Sequence, residues 1–259
     1  MKTRPGLLPK AYLAVMLVLT YVPLAVTVVY SFNESRISSV WSGFSVRWYE
    51  ELFYNRDIRE ALGNSIFVSC VSCAVSAVIG TLGALGMRRC RSRINDILAY
   101  VSTLPVMIPE IILGMVFLAV FSLLRLPFGL ATLIIGHCTF CVPYIFLTVR
   151  ARLAGMDSAL EDAARDLGAR PLRALWDVVL PEIAPAVASG MLLAFAMSFD
   201  DVIISIFVTG PSVNTLPVLI YTTLKTGVTP EINALAALLL AATAVIMAAA
   251  GVIEKQHKH

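Results

Sequence analysis

Charge is scarce in this 259-residue chain: Asp, Glu, Lys and Arg together make up 14% of it, where a soluble domain carries roughly a quarter. Histidine occurs three times and cysteine five times. No Gly-x-x-x-x-Gly-Lys-[Ser/Thr] phosphate loop occurs anywhere, so a P-loop ATPase site in the chain itself is excluded. There is no low-complexity linker and no clear internal repeat; the net charge of +3 is modest and says nothing of nucleic acid, and no nucleic-acid partner is expected. The cysteine pairs Cys70-x-x-Cys73 and Cys138-x-x-Cys141 have the look of zinc ligands. Both sit in apolar runs, and 64 residues part them rather than the roughly 15–20 of a zinc ribbon. They read as small packing residues, and no metal site is expected.

What the chain has instead is hydrophobic length. Apolar residues are 58% of the total, the mean hydropathy is +0.83, and six runs approach the roughly 20 residues that cross a bilayer as a helix. They cover 11–32, 62–85, 97–124, 130–149, 183–208 and 233–253. The expected fold is an all-α membrane protein with six transmembrane helices, one domain over 1–259. The first run follows a basic start, yet it is long for a signal-peptide core and no Ala-x-Ala follows it, so an uncleaved span is expected.

Basic residues mark the cytoplasmic side. Lys2, Arg4 and Lys10 precede the first run, and Arg88, Arg89, Arg91 and Arg93 follow the second. Arg150, Arg152, Arg165, Arg170 and Arg173 follow the fourth, and Lys255 and Lys258 close the chain. The third and fifth gaps hold only Arg125 and Lys225. The long first gap offsets Arg36, Arg47, Arg56 and Arg59 with five acids, and its Trp41, Phe44, Trp48, Tyr49, Phe53 and Tyr54 suit an interfacial layer. Both termini and the 150–182 loop are therefore expected in the cytoplasm.

That loop is the polar exception. Ser158-x-x-Glu161 reads as a capping box, Gly168 as a left-handed helix end and Pro171 as the first turn of a second helix. Leu160, Ala164 and Leu167 share one face by i, i+4, i+7 spacing, and Leu172, Leu175, Trp176 and Val179 form a second ridge. Three carboxylates lie in apolar runs without a Lys or Arg beside them: Glu110 near the middle of the third, Asp200 and Asp201 toward the outer half of the fifth. Unpaired acids there mark a pathway by default. Adjacent helical residues point about 100° apart, so one is expected to hydrogen-bond a neighbour while the other faces the path. Pro105, Pro109 and Pro143 are expected to kink their spans, and Gly80-x-x-Gly83-x-x-Gly86 to admit a close helix neighbour. A short outer helix is expected from Pro217.

Asp162-Ala163-Ala164-x3-Gly168-x9-Val178-x-Leu180-Pro181 resembles the EAA loop of ABC-importer permeases, with Asp162 in place of Glu and Val178 in place of Ile; the neighbouring Glu161 is an alternative source of the usual carboxylate. The segments Ile108-Pro109-Glu110, His137 to Pro143, Ser198 to Val202, Phe207 to Ser212 and Gly227 to Leu235 are similar to PotC-like permease subunits of spermidine/putrescine importers. The resemblance implies a type I importer permease fold with the loop as a coupling helix. It implies an ATPase contact through Glu161, Asp162, Ala163, Ala164, Gly168, Val178, Leu180 and Pro181, and a cation pathway past Glu110, Asp200 and Asp201. It further implies a second permease, two ATP-binding subunits that carry ATP and magnesium, an external binding protein and a bacterial inner membrane. No catalytic site of its own is expected. Another small cation such as ferric iron, or a proton-driven carrier relaying through Glu110 and Asp201, remains the alternative.

Overall fold

The computed structural model describes residues 6–35, 40–88, 92–157, 159–227 and 229–257. Ser158, Lys2, Arg4, Arg36, Arg89, Arg91 and Lys258, named above for capping or charge, lie outside these. The described residues form helices throughout, with one isolated antiparallel bridge between Asn33 and Phe44. In order they are α1 (Leu7–Tyr30), α2 (Arg47–Tyr54), α3 (Arg56–Met87), α4 (Ser92–Met107), α5 (Glu110–Leu123), α6 (Leu130–Ala154) and α7 (Ala159–Asp166). Then come α8 (Pro171–Ala174), a π-helical turn (Leu175–Val179), α9 (Leu180–Phe199), α10 (Ile203–Val208), α11 (Leu216–Thr226) and α12 (Pro230–His257).

Four stretches among the described residues are long and apolar enough to cross a membrane: Leu8–Tyr30, Arg56–Met87, Leu130–Ala154 and Pro171–Phe199. The pair Ile97–Met107 and Glu110–Leu123 makes a fifth if counted as one span, but it is bent by 99°. The expected continuous third span is therefore broken, and Glu110 opens α5 instead of sitting inside a helix. Pro109 is the reason: it has no N–H to give and disfavours a helical residue before it. The expected fifth span is also two pieces. It ends at Phe199 and restarts at Ile203. Pro143, by contrast, lies within an uninterrupted α6. α12 runs over Pro230–His257 and is apolar across Pro230–Val245.

The chain divides into two compact units. In the first (Met1–Arg59 with Ile220–His259), α1 and α2 pack on α12. The loop after α1 is held from within: Trp48 Nε1 donates to the Asn33 carbonyl at 2.6 Å, and Asn33 Nδ2 to the Val40 carbonyl at 2.7 Å. Trp48 is thus buried structure rather than an interfacial anchor, while Trp41, Phe44, Phe53 and Tyr54 stay exposed. Asn55 Nδ2 donates to Glu231 Oε1 at 2.7 Å, fixing the start of α12.

The second unit, Glu60–Leu219, is built around α6. Leu133, Ile145, Phe146 and Val149 of α6 are fully enclosed, with Val68 of α3, Ile183 and Ala194 of α9 and Ile204 of α10 around them. Backbones approach closely where glycine allows. A Cβ at Gly80 of α3 would stand 3.0 Å from the Phe146 amide nitrogen, and one at Gly190 of α9 would stand 2.4 Å from Thr148 Oγ1 and 3.0 Å from Ile145 Cα. Of the glycine triplet on α3, Gly80 makes this contact, Gly83 faces Phe146 more loosely and Gly86 faces open space.

These gaps set a first test. Gly190→Ala is expected to cost about 1–3 kcal/mol through overpacking, seen as a lowered thermal midpoint of the detergent-extracted protein. Gly86→Ala, with nothing within 4 Å of the new methyl, is expected to leave it unchanged or raise it slightly.

Candidate functional site

The polar hairpin between α6 and α9 is local chemistry made rigid. Asp157 Oδ1 accepts the Ala159 amide at 2.9 Å and so begins α7. At its end Gly168 takes φ +88°, a left-handed conformation that suits glycine. The Ala169 amide reaches back to the Ala164 carbonyl at 3.0 Å and Gly168 to Arg165 at 2.9 Å, the two bonds of a Schellman turn. Arg170 is extended and Pro171 opens α8. From there the helix does not stop: α8, the π turn and α9 form one continuous rod from Pro171 to Phe199. Pro181 sits in the first turn of α9, just past the π turn.

The hairpin is tied down at both ends. Arg152 near the end of α6 bonds the Glu182 carboxylate and donates from Nε to the Glu182 carbonyl at 3.2 Å. Glu161 of α7 is held by Arg88 at the end of α3, 2.7 Å away, and by Arg165 at 3.3 Å. These groups line a cleft of about 450 Å³ with Leu82, Leu85, Leu175 and Val179. Both adjacent acids border this cleft, but they differ in their partners. Glu161 is bound inside the chain, and Asp162 is exposed with Ala163 beside it. Ala164, Val178 and Leu180 are half-buried, and Pro181 is exposed. Of the expected apolar ridges, Leu175 and Val179 turn inward, while Leu167 at 90% exposure, Leu172 at 71% and Trp176 at 68% face out.

The second part of the site is the break between α9 and α10. A restarted helix has amide donors with no partner in the preceding turn, and an apolar environment offers no water to take them. Asp201 supplies the acceptors. Its Oδ2 accepts the Ser205 amide at 2.8 Å and the Ser205 hydroxyl at 2.7 Å, and its Oδ1 lies 3.3 Å from the Ile204 amide. His137 of α6, 1% exposed, stands over the same break. Its Nδ1 is 2.7 Å from Ser198 Oγ, before the break, and its Nε2 is 3.0 Å from Ser205 Oγ, after it. Asp201 Oδ2 lies 3.5 Å from that same Nε2. Ser198 extends the chain of bonds, donating to Ser69 of α3 at 3.2 Å.

Asp200, next in sequence, is exposed and ends α9, its amide bonded to the Ala196 carbonyl at 3.2 Å. Glu110 is likewise exposed, in the first turn of α5, where the helix dipole favours a negative charge. The three expected acids therefore part company: Glu110 and Asp200 stand open at helix breaks, and Asp201 is bonded within the fold. α5 and α10 pack together, with Gly114 beneath the Phe207 ring. The cysteines act as packing donors, Cys73 to the Met191 carbonyl and Cys141 to that of Ala194.

Two features escaped sequence reasoning. His137 enters the sequence reading only as the start of the segment His137 to Pro143. A histidine in an apolar run needs polar partners as much as a carboxylate does, and that signal was legible. The other is a row of serines on α3: Ser65, Ser69, Ser72 and Ser76, all buried. Their i, i+4, i+7, i+11 spacing marks one face, which meets Leu216 through Ser65, Ser198 through Ser69 and carbonyls of α6 through Ser72 and Ser76.

Residues 76–257, which hold the hairpin and both breaks, match the family described as "Binding-protein-dependent transport system inner membrane component". The chain belongs to this family. It is 39% identical over 233 residues to the putrescine transport system permease protein PotI of Escherichia coli K12, covering 87% of this chain and 83% of that one. It is 36% identical over 252 residues to the spermidine/putrescine transport system permease protein PotC of Haemophilus influenzae, covering 97% and 98%. A solved bacterial ABC transporter involved in the import of the acidic polysaccharide alginate shares the fold, with a TM-score of 0.72 at 16% identity over 96% of this chain and 95% of that one. This member of the permease family is accordingly a multi-pass inner-membrane transport component of ABC-permease fold, and membership argues against the proton-driven alternative.

The hairpin generates a second test. Gly168→Val has no steric neighbour to meet but forces a β-branched residue into a left-handed conformation, at about 1–2 kcal/mol. Amide exchange across 159–169 is expected to rise about 5–30-fold. Gly168→Asn is expected to stay close to the native rate, since Asn tolerates that conformation.

Proposed function

We propose that the chain is the permease subunit of an ATP-driven polyamine importer, forming half of the path through the membrane and driven by a cytoplasmic ATPase. One observation carries this: an exposed apolar cluster at Leu167, Leu172 and Trp176 stands at the start of one uninterrupted helix, Pro171–Phe199, that ends at the break where Asp200 stands open. A push at one end of such a rod is delivered at the other.

The assembly this implies contains a second, homologous permease, two ATP-binding subunits, one against each hairpin, an external substrate-binding protein and surrounding lipid. ATP and its magnesium belong to the ATP-binding subunits, and the chain itself catalyses no reaction. The hairpin and both termini lie on the cytoplasmic side, in keeping with the basic residues there, and six spans cross the membrane. Asp162 is the acid free to meet the ATPase, because Glu161 is occupied by Arg88 and Arg165.

Polyamines are the cargo that fits. They are flexible polycations, and moving each charge through hydrocarbon costs a few kcal/mol. Glu110 and Asp200 offer two exposed carboxylates where the helices break, with no Lys or Arg in either apolar run. Two spaced acids attract a polycation without trapping it, as conduction demands. The names carried by the PotI and PotC relatives support the same cargo.

Reconstitution with the ATPase, the second permease and the binding protein, followed by ATP-driven uptake of labelled spermidine and putrescine, tests the reading. Asp200→Asn and Glu110→Gln are each expected to cut uptake about tenfold, the worth of about 1.4 kcal/mol, with the binding protein's affinity unchanged. Normal flux in both variants contradicts the carboxylate pathway. Uptake of a different solute, with none of polyamine, contradicts the cargo.

A further inference from the structure

Asp201 already accepts the Ile204 and Ser205 amides at the start of α10, so the buried histidine at the same place is unexplained by capping. Its geometry is that of a clamp. The two ring nitrogens point in opposite directions, Nδ1 to Ser198 on the α9 side of the break and Nε2 to Ser205 on the α10 side. The ring is carried by α6, the helix on which both α9 and α10 pack, and is backed by Phe140 at 5.3 Å between centroids. Ser198 is bonded onward to Ser69, so the clamp grips α3 as well. Asp200 lies between the two gripped serines, two residues after one and five before the other.

We propose that His137 is a positioning residue for translocation: it pins both sides of the α9–α10 break and so fixes where Asp200 is presented. This rests on the reading of Asp200 as a pathway carboxylate. A helix that simply ended at Phe199 would let α10 swing with its neighbours. With His137 in place, displacement of the α9 rod reaches α10 and the intervening turn through two hydrogen bonds as well as through the chain. Buried in apolar surroundings, such bonds have no water competing for them. Because one ring serves both sides, losing it releases both at once.

The experiment measures flux per assembled complex in proteoliposomes containing both permeases and the ATPase, with loaded binding protein supplied at increasing concentration. His137→Ala is expected to lower maximal flux of labelled spermidine about tenfold or more, with the half-saturating concentration of binding protein within twofold of native. His137→Gln, whose amide carries both a donor and an acceptor, is expected to recover much of that loss. Ser205→Ala keeps the imidazole and removes one of its partners, and is expected to cost several-fold; it serves where His137→Ala fails to assemble. Combining His137→Ala with Asp200→Asn is expected to lower flux little beyond the worse single variant, because both act at one point.

Native flux in His137→Ala or in Ser205→Ala overturns the proposal. So does a glutamine variant no better than alanine, or a double variant whose losses multiply. Native flux in Asp200→Asn with loss in His137→Ala is a different failure: it removes the carboxylate reading and, with it, the action of His137 on Asp200.

Discussion

A helix interrupted in an apolar setting leaves backbone groups that no solvent can satisfy, and both helix breaks in this protein's second unit are shaped by how that is managed. α10 starts afresh after α9, and the Asp201 carboxylate takes its amides. Remove that acceptor and the restart loses its reason to exist. With it, the chain holds a short non-helical turn, Asp200 to Val202, without breaking the packing of α10 on α5 and α6. The other break, before α5, is set by Pro109 and places Glu110 where the helix dipole stabilises its charge. Breaks at these two points bring carboxylates into the open in a molecule otherwise poor in charge.

The hairpin is the opposite case, a polar segment made stiff. The Schellman turn at Gly168, the Arg152–Glu182 pair and the grip of Arg88 and Arg165 on Glu161 leave little freedom between α7 and the helices beneath it. Outward they leave Leu167, Leu172 and Trp176, beside exposed charges such as Asp162, Arg173 and Asp177. The proposed contact with an ATPase rests on this exposed apolar cluster. Across the π turn at Leu175–Val179, Leu175 and Val179 face the cleft while Trp176 faces out.

Much of this was legible in the residues. Gly168, Pro171 and the spacing of Leu160, Ala164 and Leu167 announced the hairpin, because capping and turn chemistry are local and need no tertiary partner. The apolar runs likewise announced α1, α3 and α6, whereas the continuity of the hairpin's second helix with α9 was not read, because Pro181 looked like its end. The breaks were not placed, since proline signals a kink without saying whether the helix bends or stops: Pro143 stays within α6, while Pro109 ends a helix. The fate of Asp200 and Asp201 was left open for the same kind of reason. Which of two adjacent acids turns inward depends on His137 and Ser205 coming together across the fold, and no local pattern encodes a partner 64 residues away.

The central claim is mechanical: the hairpin and the Asp200 break are the two ends of one stiff element. Spin labels at Leu172 and Leu192, both exposed on that rod, sit about 30 Å apart at 1.5 Å per residue. Measured in the assembled transporter with and without ATP, that distance is expected to stay constant while the separation between Leu172 labels and the ATPase subunits changes. A rod distance that shortens or broadens by several ångströms on ATP binding, through bending at the π turn, contradicts the account.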